Sequence, residues 1–408
     1  PGRAPRPAPS TASTSWCPTC DGVVRGDDVM WKGAGILGAL VVLVGAVPLT
    51  TARDVVVRLA PILLFLVAVT VLAELADEAG VFDVAARECA RWARGSTLLL
   101  WLLVVVLATL ATVFLSLDTT AVLLTPVVLA LAQQLGIAAL PFAMTTVWLA
   151  NTASMLLPVS NLTNLLAQDR LDLSTLGFAA IAWPAALVAV VVTAVVLLVR
   201  YRRSLRGRYD VPEVPHVSDP VLLRVAAACC LLLGPLAVAG VPVASVATAL
   251  AAVLVVAFLV RRRGSLRWSL VPGHLVVMVV GLFLVVAALQ ARGLTDLLVG
   301  LTGTGDGLAG LLRHAGVATV SANVVNNLPA YAALEPTADG TLPVFALLVG
   351  VNCGPLVLLW GSLATLLWRE RCTARGLHVP WQHFAGVGLV GVPLVVVAST
   401  AALALAGG

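Results

Sequence analysis

The sequence predicts an all-α polytopic membrane protein with two inverted-topology repeats, each holding a re-entrant helical hairpin and a broken transmembrane helix. Of 408 residues, 60% are hydrophobic and 11% are charged, and the mean hydropathy is +1.03. A soluble domain of this length needs more polar surface. Apolar runs of about 20 residues, enough for a helix to cross a bilayer, recur along the chain. The alternation typical of a membrane barrel is missing.

Seven uninterrupted apolar runs are predicted to be ordinary membrane spans. Each is long enough to cross the hydrocarbon layer as a helix. They lie at about 33–50, 55–77, 174–199, 220–238, 243–260, 270–289 and 383–404.

Four further apolar stretches are interrupted by polar residues. Residues 97–135 are broken at "SLDTT" and 143–168 at "NTASMLLPVSN", while 307–334 are broken at "SANVVNNLP" and 343–368 at "NCGPLVLLWGS". A break in a membrane helix frees backbone groups that lipid cannot satisfy, so it persists only where protein or water lines it. The order of hairpin and then broken helix occurs twice, which predicts two repeats around one polar cavity.

Arginine clusters predict the orientation of these segments. The net charge of +5 comes almost entirely from arginine, concentrated in short loops such as 200–208 and 261–267. Such loops are typically cytoplasmic, and this distribution favours topology signals over nucleic-acid binding. The first hairpin then enters from the cytoplasm and the second from outside. Arg53 and Arg58 fall outside, against the rule.

These features divide the chain into four parts. Residues 1–29 are a Pro/Ser/Ala-rich tail expected to be disordered, and 30–200 form the first membrane repeat. Residues 201–242 are a basic cytoplasmic loop with a linker helix, and 243–408 form the second repeat. The tail contains Cys17 and Cys20, one CxxC without the second pair that a zinc site needs, so no metal or other cofactor is predicted.

Asp118 is an acid within an otherwise apolar stretch. A charged group inside a bilayer costs about 2.5 kcal/mol or more, so it is expected to have a function. One interpretation is a carboxylate that carries a proton or cation; the other is an N-cap for the following helix, and the two are compatible. Glu335 is expected to be a loop residue.

The breaks carry no Lys or Arg at their centres. Their short amide and hydroxyl side chains suit a neutral solute, or an anion that only helix N-termini contact. Cys353 lies at the last break and is either a ligand for a thiophilic solute or a small apolar filler.

Four segments resemble the signature segments of the arsenical pump membrane permeases of the ion transporter superfamily. They are "SLDTTAVLLTPVVLALA", "ANTASMLLPVSNLTNLL", "SANVVNNLPA" and "GVNCGPLVLLWGSLATLLW", and the resemblance covers Met30 to Leu405 in order. It implies a multi-pass plasma-membrane homodimer with an elevator-like movement. It also implies export of arsenite and antimonite, driven by protons or by a cytoplasmic ATPase subunit.

The resemblance also implies which residues bind the solute, and Cys353 is added to them. The implied set is Ser116, Thr119, Thr120, Asn151, Ser154, Ser160, Asn161, Asn164, Ser321, Asn323, Asn326, Asn327, Asn352, Gly354, Ser362 and Thr365. Ser116 is matched to Ser321, and Asp118 to Asn323. Leu117 departs from the family, which usually has Asn before this Asp. Neither tip has the Ser-Asn-Thr sequence of the carboxylate carriers.

The resulting hypothesis is a secondary transporter that exports arsenite or antimonite in exchange for protons, with Asp118 as the coupling carboxylate. The alternatives within the superfamily are a sodium/proton antiporter and a carrier of di- or tricarboxylate anions. A membrane-embedded enzyme with Asp118 as acid catalyst is the hypothesis from another class. It lacks a second intramembrane acid and a histidine cluster for a metal.

Overall fold

The computed structural model describes residues 26–211, 219–303, 305 and 307–407, and within these ranges it is helical without strands. Most of the predicted tail, including Cys17 and Cys20, lies outside the described residues. The prediction of an all-α protein is confirmed. The helices are α1 (Gly26–Leu43), α2 (Leu49–Glu78), α3 (Val81–Trp92), α4 (Thr97–Phe114), α5 (Leu117–Thr119), α6 (Thr125–Gln134), α7 (Ala139–Thr152), α8 (Leu162–Leu171), α9 (Thr175–Tyr201), α10 (Pro220–Val238), α11 (Val243–Arg261), α12 (Gly273–Gln290), α13 (Leu294–Thr302), α14 (Leu308–Val325), α15 (Asn327–Leu334), α16 (Thr341–Cys353), α17 (Leu363–Ala374) and α18 (Trp381–Gly407).

Nine helical segments in the described part of the chain are long and apolar enough to cross a membrane. Five are α2, α4, α9, α10 and α11; the others are Leu117–Gln134, α12, α14 and α18. Five of the seven uninterrupted spans predicted from the sequence correspond to single helices within three residues at each end, and the span predicted at 55–77 corresponds to α2, which begins six residues earlier. The first prediction, 33–50, is wrong in its bounds. The helix begins earlier, ends at Leu43, and the chain turns at Gly45 with φ of 69° before α2.

The four predicted interruptions are all present. The first hairpin breaks between α4 and α5, and the second between α14 and α15. In the first broken helix, α7 and α8 are separated by two short 3-10 turns, Ala153–Met155 and Pro158–Ser160. In the second, residues 354–362 separate α16 from α17. The inverted relation between the two halves stays a prediction.

The strongest helix–helix contacts fall into two groups. Helix α1 packs along α12, and α2 packs along α10 and α11. In the other group, α9 packs along α18, α14 along α16, and α7 against α4 and α6. Close approach in the first group requires glycine, since a Cβ on Gly38 would lie 2.5 Å from the Cα of Gly281.

Candidate functional site

The first hairpin breaks at Ser116, which caps the helix that follows. Its Oγ accepts a hydrogen bond from the backbone N–H of Thr119 at 3.1 Å and lies 2.9 Å from the Thr119 hydroxyl. The prediction that Asp118 could be the N-cap is therefore wrong. Ser116 is the last residue before α5. Asp118 already lies in the first turn of this helix, so it does not occupy the N-cap position from which a side chain accepts from the N–H groups two or three residues later.

A π-helical turn, Thr120–Leu124, follows this tip. Pro126 contributes to it, because a proline has no N–H to donate to the carbonyl four residues earlier. The turn is held by threonine hydroxyls: Thr120 lies 2.8 Å from Thr112 on α4, and Thr125 donates to the Thr146 hydroxyl on α7 at 2.8 Å. Single π turns of this kind occur often at functional sites.

The first broken helix satisfies its free backbone groups with its own amides. Asn161 caps α8 by accepting from the N–H of Thr163 at 3.3 Å. Asn164 donates to the carbonyls of Ser154 at 2.6 Å and Leu157 at 3.0 Å. These bonds stabilise a break that lipid could not satisfy.

Each hairpin is hydrogen-bonded to the broken helix that follows it. In the first half, the Ser160 hydroxyl donates to the carbonyl of Val113 on α4 at 2.8 Å. In the second half, Asn323 on α14 donates to the carbonyl of Gly354 and accepts from the N–H of Leu358, both at 2.9 Å.

Asn326 and Ser362 complete the second pair of breaks. Asn326 forms the tip with φ of 83° and ψ of 153°, a backbone conformation that residues other than glycine rarely adopt, and its side chain donates to the carbonyl of Trp360 at 3.0 Å. Ser362 caps α17 by accepting from the N–H of Thr365 at 3.1 Å. Ser362 and Ser116 thus cap helices with the same Ser-x-x-Thr geometry.

Asn352 connects the two broken helices at the centre of the molecule. Its Nδ2 donates to Asn164 Oδ1 at 2.8 Å, and its Oδ1 accepts from Asn161 at 2.8 Å and from the Thr163 hydroxyl at 3.0 Å. Asn352 is 1% exposed, so these bonds are made away from solvent. The two broken helices therefore meet at these side chains.

Asp118 lies where two cavities meet. A cavity of about 330 Å³ is mainly apolar and presents the amides of Asn161, Asn326 and Asn327. A cavity of about 490 Å³ is polar, and its titratable and charged side chains include Glu74, His274, Glu370 and Arg371. Asp118 lines both cavities and is partly buried. Among the residues that the structure describes, no hydrogen-bond or ion-pair partner occurs for its carboxylate.

The sequence-predicted site residues therefore separate into two sets. Those that line one or both cavities are Ser116, Asp118, Thr119, Asn161, Asn326 and Asn327. The others lie outside both cavities: Thr120, Asn151, Ser154, Ser160, Asn164, Ser321, Asn323, Asn352, Cys353, Gly354, Ser362 and Thr365. Several of these hold the breaks together through the bonds described above.

Ser321 and Asn323 lie within α14, and Cys353 lies at the end of α16. Ser321 is inside α14, five residues before the break at Asn326, so matching it to Ser116 is wrong in register. Asn323 precedes the tip while Asp118 follows it, so these two are not counterparts either. Cys353 is fully buried, with its thiol 3.6 Å from the Met155 sulfur.

Sequence reasoning missed the charged wall of the larger cavity. Arg371 lies on α17, which also carries Leu363, Leu367 and Glu370 at helical spacing, and each of these four residues lines one of the two cavities. That spacing is the signal that could have identified the cavity face of α17. The Arg371 guanidinium and the His274 imidazole thus share a cavity with Asp118. The sequence did not predict basic groups there, because the breaks themselves carry no Lys or Arg at their centres.

Glu335 lies in the connection between α15 and α16, as expected, and is also a buried ion-pair partner. It begins a 3-10 turn after α15, its side chain is 6% exposed, and its two oxygens accept from Arg58 at 2.7 and 3.2 Å. Arg58 also donates to Asp169 on α8 at 3.2 Å, and Arg170 donates to the carbonyls of Glu335 and Ala338. These pairs neutralise the charge of Arg58 within the protein.

The described residues contain no group of three or more His, Cys, Asp or Glu side chains that could hold a metal ion.

Comparisons with known proteins agree with a transporter. The citrate transporter family, CitMHS, matches residues 29–365. The chain is 30% identical to the arsenical pump membrane protein of Escherichia coli K12, over 83% of this chain and 85% of the relative. It is 31% identical to the protein of the same name from Yersinia enterocolitica, with the same coverage.

A solved structure has the same fold. The crystal structure of the YdaH transporter of Alcanivorax borkumensis, described as having an unusual topology, matches with a TM-score of 0.57 and 14% identity, over 93% of this chain and 98% of that one. The apolar helices and these relatives confirm a multi-pass plasma-membrane transporter rather than an enzyme.

Proposed function

The chain belongs to the citrate transporter family. We propose that it exports arsenite or antimonite in exchange for protons, with Asp118 carrying the exchanged proton. The chain is a membrane transporter of the citrate and arsenical pump type. The solute is proposed because relatives at 30–31% identity are named arsenical pump membrane proteins.

The position of Asp118 carries the proposal. A carboxylate without an ion-pair partner can take up and release a proton without first breaking a salt bridge. Because Asp118 lines both cavities, the same group faces the charged cavity on one side and the amide-lined cavity on the other. This is the placement that a coupling group needs if proton and solute use one site in turn.

The solute is proposed to contact the amides of Asn161, Asn326 and Asn327. Arsenite at neutral pH is an uncharged trihydroxide, and its hydroxyl groups both donate and accept hydrogen bonds. Asparagine side chains do the same, and the apolar remainder of the cavity excludes charged competitors.

Transport into everted membrane vesicles tests the proposal. With the interior acidified, wild-type vesicles are expected to accumulate arsenite, and collapse of the pH gradient is expected to stop it. Asp118→Asn should lose gradient-driven accumulation. Asp83→Asn is the matched control, since Asp83 pairs with Arg87 on the surface of α3. The proposed coupling is refuted if arsenite accumulation in wild-type vesicles does not depend on the pH gradient. It is also refuted if accumulation is unchanged in Asp118→Asn.

A carrier of carboxylate anions is the second candidate. Arg371 and His274 favour it, because a guanidinium and an imidazole in the larger cavity suit a carboxylate better than a neutral hydroxide. Uptake of labelled citrate distinguishes a carboxylate carrier from an arsenite exporter. Repeating the assay with sodium replaced by choline detects coupling to sodium. If citrate is the solute, Arg371→Gln should abolish its uptake; if arsenite is, citrate should neither enter nor compete.

The homodimer and the cytoplasmic ATPase subunit remain predictions from the family resemblance. Cross-linking in native membranes, with and without a candidate ATPase subunit, measures both.

A further inference from the structure

A groove between α9 and α18 lies away from both cavities at the breaks. It has a volume of about 590 Å³, within the range of about 300–1,000 Å³ typical of small-ligand sites. Its walls are mainly valine, including Val195 and Val199 on α9 and Val390 on α18. These three side chains are 51%, 63% and 65% exposed, so the groove opens to the surroundings of the protein.

Gly386 on α18 also lines the groove and is exposed. A Cβ added to Gly386 would meet no atom within 4 Å, so the space above this residue is empty. The groove therefore has room for a larger group at Gly386. By contrast, no such room exists at Gly38, where α1 and α12 are in close contact.

One end of the groove is polar and cationic. Arg200 is exposed there, and its Nη2 lies 3.4 Å from Nδ1 of His383, while Nε2 of His383 lies 2.7 Å from the Tyr201 hydroxyl. Among the described residues no carboxylate pairs with Arg200. Since arginine only donates, His383 Nδ1 accepts, and the neutral imidazole keeps its proton on Nε2.

The length of the helices places this end at the membrane surface. Both α9 and α18 have 27 residues, about 40 Å at 1.5 Å per residue, against a hydrocarbon layer of about 30 Å. The polar end therefore extends to the headgroups, on the side where the arginine-rich loop 200–208 is predicted to be cytoplasmic. Anionic lipids are enriched in that leaflet.

We propose that this groove binds an anionic phospholipid, with an acyl chain along the valine walls and the phosphate on Arg200. The apolar walls alone would accept any lipid chain. The Arg200 guanidinium, which no carboxylate of the described residues neutralises, selects the negative charge at the headgroup level.

Lipid titration of the purified full chain in detergent tests the site. Phosphatidylglycerol and phosphatidylcholine with identical acyl chains are compared by native mass spectrometry and by the apparent melting temperature. Phosphatidylglycerol is expected to remain bound and to raise the melting temperature more. Arg200→Gln should weaken its binding about fivefold, the factor expected for one basic residue at a lipid surface. Arg206→Gln, an exposed arginine of the same loop outside the groove, is the control.

Gly386→Leu tests the apolar part independently. The leucine has room to fill the groove, so the variant should fold and lose bound lipid of both kinds, whereas Gly300→Leu, also in open space, should not. Equal binding of the two lipids, or equal effects of Arg200→Gln and Arg206→Gln, overturns the proposal. Loss of a dimer in Gly386→Leu would overturn it too, by showing that a second copy of the chain occupies the groove. None of these readouts depends on the transported solute.

Discussion

Replacement of Arg58 by methionine is expected to destabilise the protein more than any other single change in its ion-pair cluster. The substitution leaves the Glu335 carboxylate, 6% exposed, without the two hydrogen bonds that it accepts at 2.7 and 3.2 Å. An uncompensated buried charge costs about 3–5 kcal/mol. The Arg58 side chain is 40% exposed, so water screens part of the pair, and we expect about 2–3 kcal/mol.

Companion variants separate this effect from a general loss of packing. Asp169→Asn should cost less than about 1 kcal/mol, because the Asp169 side chain is 54% exposed. The double variant Arg58→Met with Glu335→Leu removes both charges and should recover much of the stability lost in Arg58→Met alone. The assay is the apparent melting temperature in detergent at a fixed heating rate, since membrane proteins often unfold irreversibly. Equal losses in Arg58→Met and Asp169→Asn, or strictly additive effects in the double variant, would refute the reasoning.

Two further predictions concern hydrogen bonds at the breaks, and a third concerns a helix start. Asn352→Leu removes three buried hydrogen bonds and leaves their partners unsatisfied, so it should cost about 3 kcal/mol or more and be visible as a lower melting temperature. Ser116→Ala removes a buried N-cap and should cost about 1 kcal/mol in the same assay, while Ser204→Ala in the exposed loop should have no effect. The pKa of Asp219 lies below its ordinary value of 3.8, because the Arg261 side chain and the backbone N–H groups of the first turn of α10 donate to its carboxylate. This stabilisation is present above pH 3.8 and is lost as the pH falls through the lowered pKa, so the melting temperatures of wild type and Asp219→Asn should converge in acid.

The positions of the helix breaks could be predicted from the sequence. Polar residues and prolines in apolar runs mark places where backbone groups need partners, and this signal is local. The capping residue was harder to predict: Ser116 and Asp118 are both good N-caps, and two residues of register decide between them.

The correspondence between the two hairpin tips could not be predicted in register. Matching serine to serine aligned Ser116 with Ser321, but the second tip breaks at Asn326, whose φ is positive at 83°. The two tips therefore reach similar breaks with different chemistry. Asp118 is an added feature of the first tip, and the second tip has no acid in the corresponding turn.

The sequence by itself determined that this chain is a helical membrane protein with four polar interruptions, because hydropathy and helix-breaking residues act through neighbours along the chain. The tertiary structure alone decided that Asn352 joins Asn161 and Asn164 and that Arg371 shares a cavity with Asp118. Arg58 and Glu335, 277 positions apart, likewise pair only in the folded protein. Such contacts depend on how distant helices pack, and a side chain's local sequence carries no record of the partner it meets there.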